Sequence, residues 1–298
     1  MKNPRKTESV LMERVLASIG ELPTSPTVVS SVMGLTSNIN TGVDKLSQAL
    51  SADAALTAKV LRLSNSPFYG RARTVRSLNE AIMILGFSTI RSLVVATSTY
   101  SMFQHGQNKS LEETLWHHSL ATAMAARIIA HRIGKKRLVE EFFLAGLLHD
   151  IGILVLLKKM PQEYLRILQQ ELTTGTDQLE LELASFGFTH AELGSLLLER
   201  WNFPPTLSAG VKWHCNPELA ANCPDSADGG KTELLIAHAI SFADEIARSL
   251  GFGFDRKGAV ELGRPSSAAF LGLSGDTIVE IIQELNDRLA EEHKLFEE

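Results

Sequence analysis

Residues 146–152 read GLLHDIG, and they set a histidine beside an aspartate in a run that is otherwise apolar from Phe142 to Leu157. Burying a carboxylate costs on the order of several kcal/mol unless it is protonated, hydrogen-bonded or bound to a cation. His149 and Asp150 therefore imply a metal, a buried hydrogen-bonded pair, or the edge of a helix. Imidazoles and carboxylates suit iron, manganese, zinc and nickel as divalent ions. A carboxylate can also bridge two ions, and such a pair activates water and clamps a phosphoryl group. Residues of the right type stand elsewhere in the chain, at His118, His190, His214 and Asp244. The set of six is chemically sufficient for a site, although its spacing does not prove that the members meet.

The elements that must carry these side chains are helices. In LWHHSLATAMAARIIAHRIG (115–134), His118 shares an arc with Leu115, Thr122, Ala125 and Ile129, while His117 falls with Glu113, Arg127 and His131 on the polar side. Periodicity thus selects His118 over its neighbour. The run holding His149 and Asp150 is apolar all round, with Glu140-Glu141 before it and Lys158-Lys159 after it, as expected of one central helix. His190 sits just inside a helix opened by Thr189-His-Ala-Glu192. His214 shares a face with Leu207, Gly210 and Val211 in a helix begun by Pro204-Pro205, and Asp244 lies at the edge of an apolar stripe. Taken singly, each of these is more often a satisfied structural residue than a ligand.

Helical periodicity extends along nearly the whole chain, and strand alternation is scarce, which predicts an all-α fold. Ser77-Leu-Asn-Glu80 and Thr189-His-Ala-Glu192 fit the capping box, and Thr41-Gly-Val-Asp44 is a weaker version. Pro26, Pro161 and Pro205 mark helix ends. A soft boundary at 104–110 divides a helical subdomain, 1–108, from a second, 109–298, and 222–231 reads as a surface loop. The last stretch, 276–298, carries Ile278, Ile281, Ile282, Leu285 and Leu289 on one stripe and reads as a packing helix. A net charge of −5 argues against a general nucleic-acid binder. Cys215 and Cys223 form neither a zinc-type pair nor a disulfide framework. The N-terminus lacks a signal-peptide core, and no apolar run reaches the ~20 residues of a membrane span, so a cytoplasmic protein with no membrane partner is expected. Lys59, Arg62, Arg71, Arg73, Arg76 and Arg91 fall in a stretch whose only acidic residue is Glu80. This is either a solvated surface or a contact for an acidic partner or nucleotide, with Arg62, Arg71, Arg73 and Arg76 the candidates.

Several segments, in order, resemble one family. ELPTSPTVVSSVMGL, DAALTAKVLRLSNSPFYG and SLNEAIMILGFSTIRSLVV in the first half, then LWHHSLATA, FLAGLLHDIGILVL, FTHAELGSLLLERWNFP and VKWHCNPELA, are similar to the HD-related output domain, HDOD, of bacterial signalling proteins. That family lies within the HD superfamily of metal-dependent phosphohydrolases. The resemblance implies an N-terminal helical subdomain packed on an HD-like C-terminal one. It places His118, His149, Asp150 and Asp244 where HD enzymes hold their basic metal set. His190 and His214 fall where the dinuclear HD-GYP phosphodiesterases, which hydrolyse cyclic di-GMP, hold further ligands. Two departures stand out. Those enzymes usually carry adjacent histidines where this chain has His214-Cys215, and the lysine after their HD-x-G is Ile153 here. A GYP-type segment is also missing.

The resemblance favours a stand-alone signalling protein that acts in trans through protein contacts, with one or two transition ions retained and without robust hydrolase activity. In the alternative it is an active phosphohydrolase on a nucleotide or cyclic dinucleotide, where Asp150 would bridge two ions and the water they activate would attack phosphorus. A third reading is a metal or redox sensor.

Overall fold

Asp53 and Ser77 show how local chemistry starts the helices of the first half. The Asp53 carboxylate accepts from Leu56 N at 2.9 Å and the Ser77 hydroxyl from Glu80 N at 3.2 Å, each capping a free helix donor. The computed structural model describes residues 12, 15, 26–38, 40–66, 74–103, 108–222, 228–254 and 265–297, and among them the fold is all-α, without strands. The first group comprises α1 (Pro26–Ser37), α2 (Val43–Ser51), α3 (Ala54–Ser64), α4 (Leu78–Leu85) and α5 (Phe87–Phe103). Gly86, at φ 83°, ends α4 and lets the chain turn by 120° into α5. Two expected caps differ. Glu80 accepts from Arg76 N, leaving half a capping box, and Asp44 accepts from Asn79 of α4, so that Gly42 caps α2 without a side-chain bond. Asn65 ties the loop after α3 by exchanging two bonds with the Val75 backbone, at 2.7 and 3.0 Å.

The second group is α6 (Lys109–Arg132), a 3-10 turn at Lys136–Leu138, α7 (Val139–Leu148), α8 (Ile151–Lys159), α9 (Pro161–Thr174), α10 (Gln178–Phe186), α11 (His190–Arg200), α12 (Pro205–Trp213), α13 (Lys231–Ser249), α14 (Pro265–Phe270) and α15 (Gly275–Glu297). Helices α6, α7 and α13 form its centre, α12 packs on α11 and α13, and α11 packs on α8. Pro161 and Pro205 sit in the first turns of α9 and α12, where a missing N–H costs nothing. The Thr189–Glu192 capping box forms in full. Helix α15 buries Ile281, Leu285 and Leu289 and rests on α6, with Arg132 paired to Glu280 and Glu284. One cluster of buried apolar side chains runs through both groups, joined by α5 against α7. No single described helix is long and apolar enough to cross a membrane.

The single central helix expected over Phe142–Leu157 is two helices. The break falls at His149 and Asp150, where Asp150 takes φ −101° and ψ 16° ahead of α8. Apolar composition could not reveal this, because both halves are equally buried. The glycines beside the break are required by packing. A Cβ on Gly146 would stand 2.8 Å from Ala123 Cα of α6, and one on Gly152 would meet the carbonyl oxygen of His190.

The arginine-rich stretch also resolves in part. Arg91 is buried and paired with Glu141 at 3.1 Å, so it belongs to the joint between the two groups. Lys59 lies over the Tyr100 ring, Arg62 is half-buried and Arg76 is exposed. Arg71, Arg73, Cys223 and most of the 104–110 boundary lie outside the described residues.

Candidate metal centre

His149 and His214 occupy equivalent places, each capping the C-terminus of its helix, α7 and α12. The last carbonyls of a helix lack partners. In both cases the ring takes one: His149 Nδ1–H donates to Gly146 O and His214 Nδ1–H to Val211 O, both at 2.7 Å. His118, in the middle of α6, donates from Nδ1 to Phe252 O at 3.1 Å. His190 turns Nδ1 to the buried Glu182 carboxylate, 2.9 Å from each oxygen, and its backbone N–H reaches the same carboxylate at 2.7 Å. Carbonyls and carboxylates only accept, so each Nδ1 carries a proton and each Nε2 points inward as a potential ligand.

The four Nε2 atoms surround Asp150. Its Oδ2 lies 3.1 Å from His149 and 3.4 Å from His118, and its Oδ1 lies 3.4 Å from His190 and 3.7 Å from His214. Each oxygen therefore serves one half of the cluster. Asp244 closes the first half, with Oδ1 3.0 Å from His118 Nε2 and 4.0 Å from His149 Nε2. Cys215 borders the second, with Sγ 3.1 Å from His214 Nε2 and 3.8 Å from His190 Nε2. Ligands bound at about 2.0–2.2 Å to one tetrahedral ion lie roughly 3.3 Å apart. The donor pairs bracket that value, and the donor set suits a divalent transition ion. His118/His149/Asp244, His149/Asp150/His214 and His190/His214/Cys215 are each groups that could hold a metal ion.

The electrostatics favour cations. Burial pushes the Asp150 and Asp244 carboxyls up, but the histidines around Asp150, and Arg248 beside Asp244, outweigh it and hold both well below the carboxylate range. Burial lowers His118, yet Asp150 and Asp244 overcome it and raise the ring to about 9. His190 is raised against burial by Glu182, whereas burial keeps His149 low and neutral. Cys215 is brought down to about 7, with burial opposing and His214 and His190 prevailing.

All six residues singled out in the sequence, His118, His149, Asp150, His190, His214 and Asp244, meet in this cluster, and all are buried. Three supporting residues were not read from the sequence. Arg248 grips Asp244 with Nε at 3.0 Å and a second nitrogen at 2.8 Å, and the i,i+4 spacing on α13 was a usable signal. Glu182 and the Tyr164 hydroxyl that donates to it at 2.8 Å gave none, because nothing local marks a glutamate in LELELASF as buried. A cavity of about 40 Å³ opens beside the cluster, lined by His118, Asp150, His190, Ile153, Arg248 and Phe254. It has room for ions and a few waters.

The HDOD domain model matches residues 22–217. Among solved structures, an HDOD domain protein of unknown function from Geobacter sulfurreducens is 26% identical, with 99% of each chain covered and a TM-score of 0.77. A Shewanella amazonensis protein that bears a provisional phosphohydrolase name is 26% identical, with 95% of each chain covered and a TM-score of 0.68. A Marinobacter aquaeolei structure, 21% identical with a TM-score of 0.75, shares the fold over 99% of this chain and 67% of its own. An uncharacterized protein of Treponema pallidum is 24% identical over 200 residues, a match that takes 66% of this chain and 38% of that relative's length.

Proposed function

Because this chain belongs to the HDOD family, we propose that it is a signal-transduction protein acting through protein contacts, with an HD-type metal centre that binds one or two ions and turns over phosphodiesters poorly or not at all. One observation carries the metal half of this reading. Four buried imidazoles, each with Nδ1 fixed, aim Nε2 at the two oxygens of one buried carboxylate. Packing alone gives no reason to gather such costly groups, whereas outer partners that set ring orientation are the usual support of metal-bound histidine. His118, His149, Asp150 and Asp244 would hold one ion, and Asp150, His190 and His214 the other. Bound there, the ions would supply Lewis acidity and cross-link six helices, α6, α7, α8, α11, α12 and α13.

Weak turnover follows from what surrounds the cluster. Stabilising a reacting phosphoryl group calls for a preorganised positive group. The position after HD-x-G is the apolar Ile153, and Arg248, at the same cavity, is committed to Asp244. The phosphohydrolase reading draws on the provisional name of the Shewanella relative and on the same donor set. Partners in trans, and an acidic or nucleotide contact at Arg62, Arg71, Arg73 and Arg76, belong to the signalling reading.

Elemental analysis of protein purified without chelator, beside His149→Ala, tests the proposal. We expect about one or two transition ions per chain, lost from the variant, and no turnover of cyclic dinucleotides or nucleoside phosphates by the loaded protein. Turnover near the ~1 s⁻¹ of ordinary enzymes, abolished in His149→Ala, would replace it with the phosphohydrolase reading. No metal in either protein would leave GLLHDIG as a structural remnant.

A further inference from the structure

The two halves of the cluster are chemically unlike. We infer that Cys215 Sγ is a metal ligand, and that with His190, His214 and Asp150 Oδ1 it forms a thiolate-bearing half-site selective for zinc, opposite an oxygen-richer half made by His118, His149, Asp244 and Asp150 Oδ2. This deepens the metal-centre reading and depends on it.

The geometry supports a fourth ligand at Cys215. With a Zn–S bond of about 2.3 Å and Zn–N bonds of about 2.0–2.1 Å, sulfur and nitrogen on one tetrahedral ion lie roughly 3.5 Å apart. Cys215 Sγ stands 3.1 Å from His214 Nε2 and 3.8 Å from His190 Nε2, on either side of that value. Asp150 Oδ1 lies 3.4 and 3.7 Å from the same two nitrogens, so these two further edges are of similar length. All three side chains of the His190/His214/Cys215 group present donor atoms within 4.8 Å of one another.

Donor and acceptor accounting points the same way. Both Nε2 atoms are acceptors when Nδ1 carries the proton, and Asp150 Oδ1 is an acceptor throughout. The Cys215 thiol can offer one proton to this group. That single proton could explain the contact with His214 but not the convergence of the other lone pairs. Protonating the rings instead would place cationic imidazoles side by side, with ring centroids 5.4 Å apart. One divalent ion satisfies all four atoms, releasing the thiol proton to solvent as it binds.

Ligand softness then assigns the metal. Thiolate with two imidazoles favours zinc over manganese or magnesium, whereas two imidazoles with two carboxylates accept harder ions. The difference arises from Cys215 alone, next to a His214 whose ring is fixed by the end of α12.

Anaerobic cobalt(II) titration of stripped protein, followed by absorbance and elemental analysis, tests this in wild type, Cys215→Ala and Cys215→His. Wild type is expected to bind about two cobalt ions and to show the near-ultraviolet thiolate-to-cobalt charge-transfer band. Added zinc should erase the band before the second ion leaves. Cys215→Ala should lose the band and bind about one ion. Cys215→His should bind about two without the band, and its binding would show that the fold survives. A band-free wild type that binds two ions, or full binding by Cys215→Ala, would overturn the thiolate site while leaving the metal centre standing. A natively folded wild type that binds no cobalt would overturn both.

Discussion

Glu182 governs what His190 can do. Its carboxylate takes the His190 ring and backbone N–H groups together, and is itself held by Tyr164 and Gln178. An amide in its place still accepts through oxygen but adds two donors to a site built for acceptors. Glu182→Gln should therefore weaken metal binding at the His190 side by about 10–100-fold, leaving the His118 side within a few-fold. Competitive titration with a metal-sensitive dye would read both phases, and equal loss in both would show that Glu182 acts only through the fold. Arg248 differs, because its partner was legible four residues away. Glu182 was not, because a buried glutamate in a leucine-rich helix looks like the solvated face of any amphipathic one.

At the scale of helices, the break at His149 and Asp150 builds the site. Along a continuous helix adjacent side chains diverge by about 100°. The turn between α7 and α8 brings His149 Nε2 within 3.1 Å of Asp150 Oδ2. Gly152 then lets α8 approach the start of α11, where a Cβ would meet His190 O. Gly152→Ala should separate these helices, destabilising the protein by about 1–3 kcal/mol or more and weakening metal binding as His190 is displaced. Gly34 is the contrast: it is exposed inside α1, with open space where an added methyl would point. Gly34→Ala should stabilise by about 0.5–1 kcal/mol. Denaturant unfolding measures both, and equal signs would contradict the packing argument.

At the scale of the molecule, the cluster joins α6, the α7–α8 break, α11, the end of α12 and α13 across one continuous core. An ion that binds only the folded chain should raise stability by about 2.7 kcal/mol at a hundredfold excess over Kd. Thermal melting should thus shift upward by several degrees with metal and reverse with chelator, and a melt indifferent to both would count against ligation. Acid stability has a source away from the cluster. His238 stacks on Phe270 and bonds Ser267, and burial lowers its pKa below 6.5, with Glu218 pulling the other way. The folded state therefore binds fewer protons than the unfolded one below that value, so stability is full above about 6.5 and falls as pH drops toward the folded pKa. His238→Gln should flatten that part of the profile, and an unchanged slope would assign it elsewhere.

The sequence by itself determined the all-α class, because helical periodicity, caps and prolines are local signals, and it marked which side of its helix His118 occupies. The ordered motifs also pointed to the HDOD family, which the match over residues 22–217 shows. Tertiary structure decided the rest. It interrupted the apolar run at His149, divided Asp150 between two pairs of histidines, drew Arg91 into a buried joint, turned the Cys215 sulfur toward His214 and His190, and supplied Glu182 from a position with no local mark. Apolar periodicity reports burial, and burial alone does not say which buried groups face one another. That depends on where α8 can approach α11 and α7 can approach α6, and so on the backbone contacts at Gly152 and Gly146.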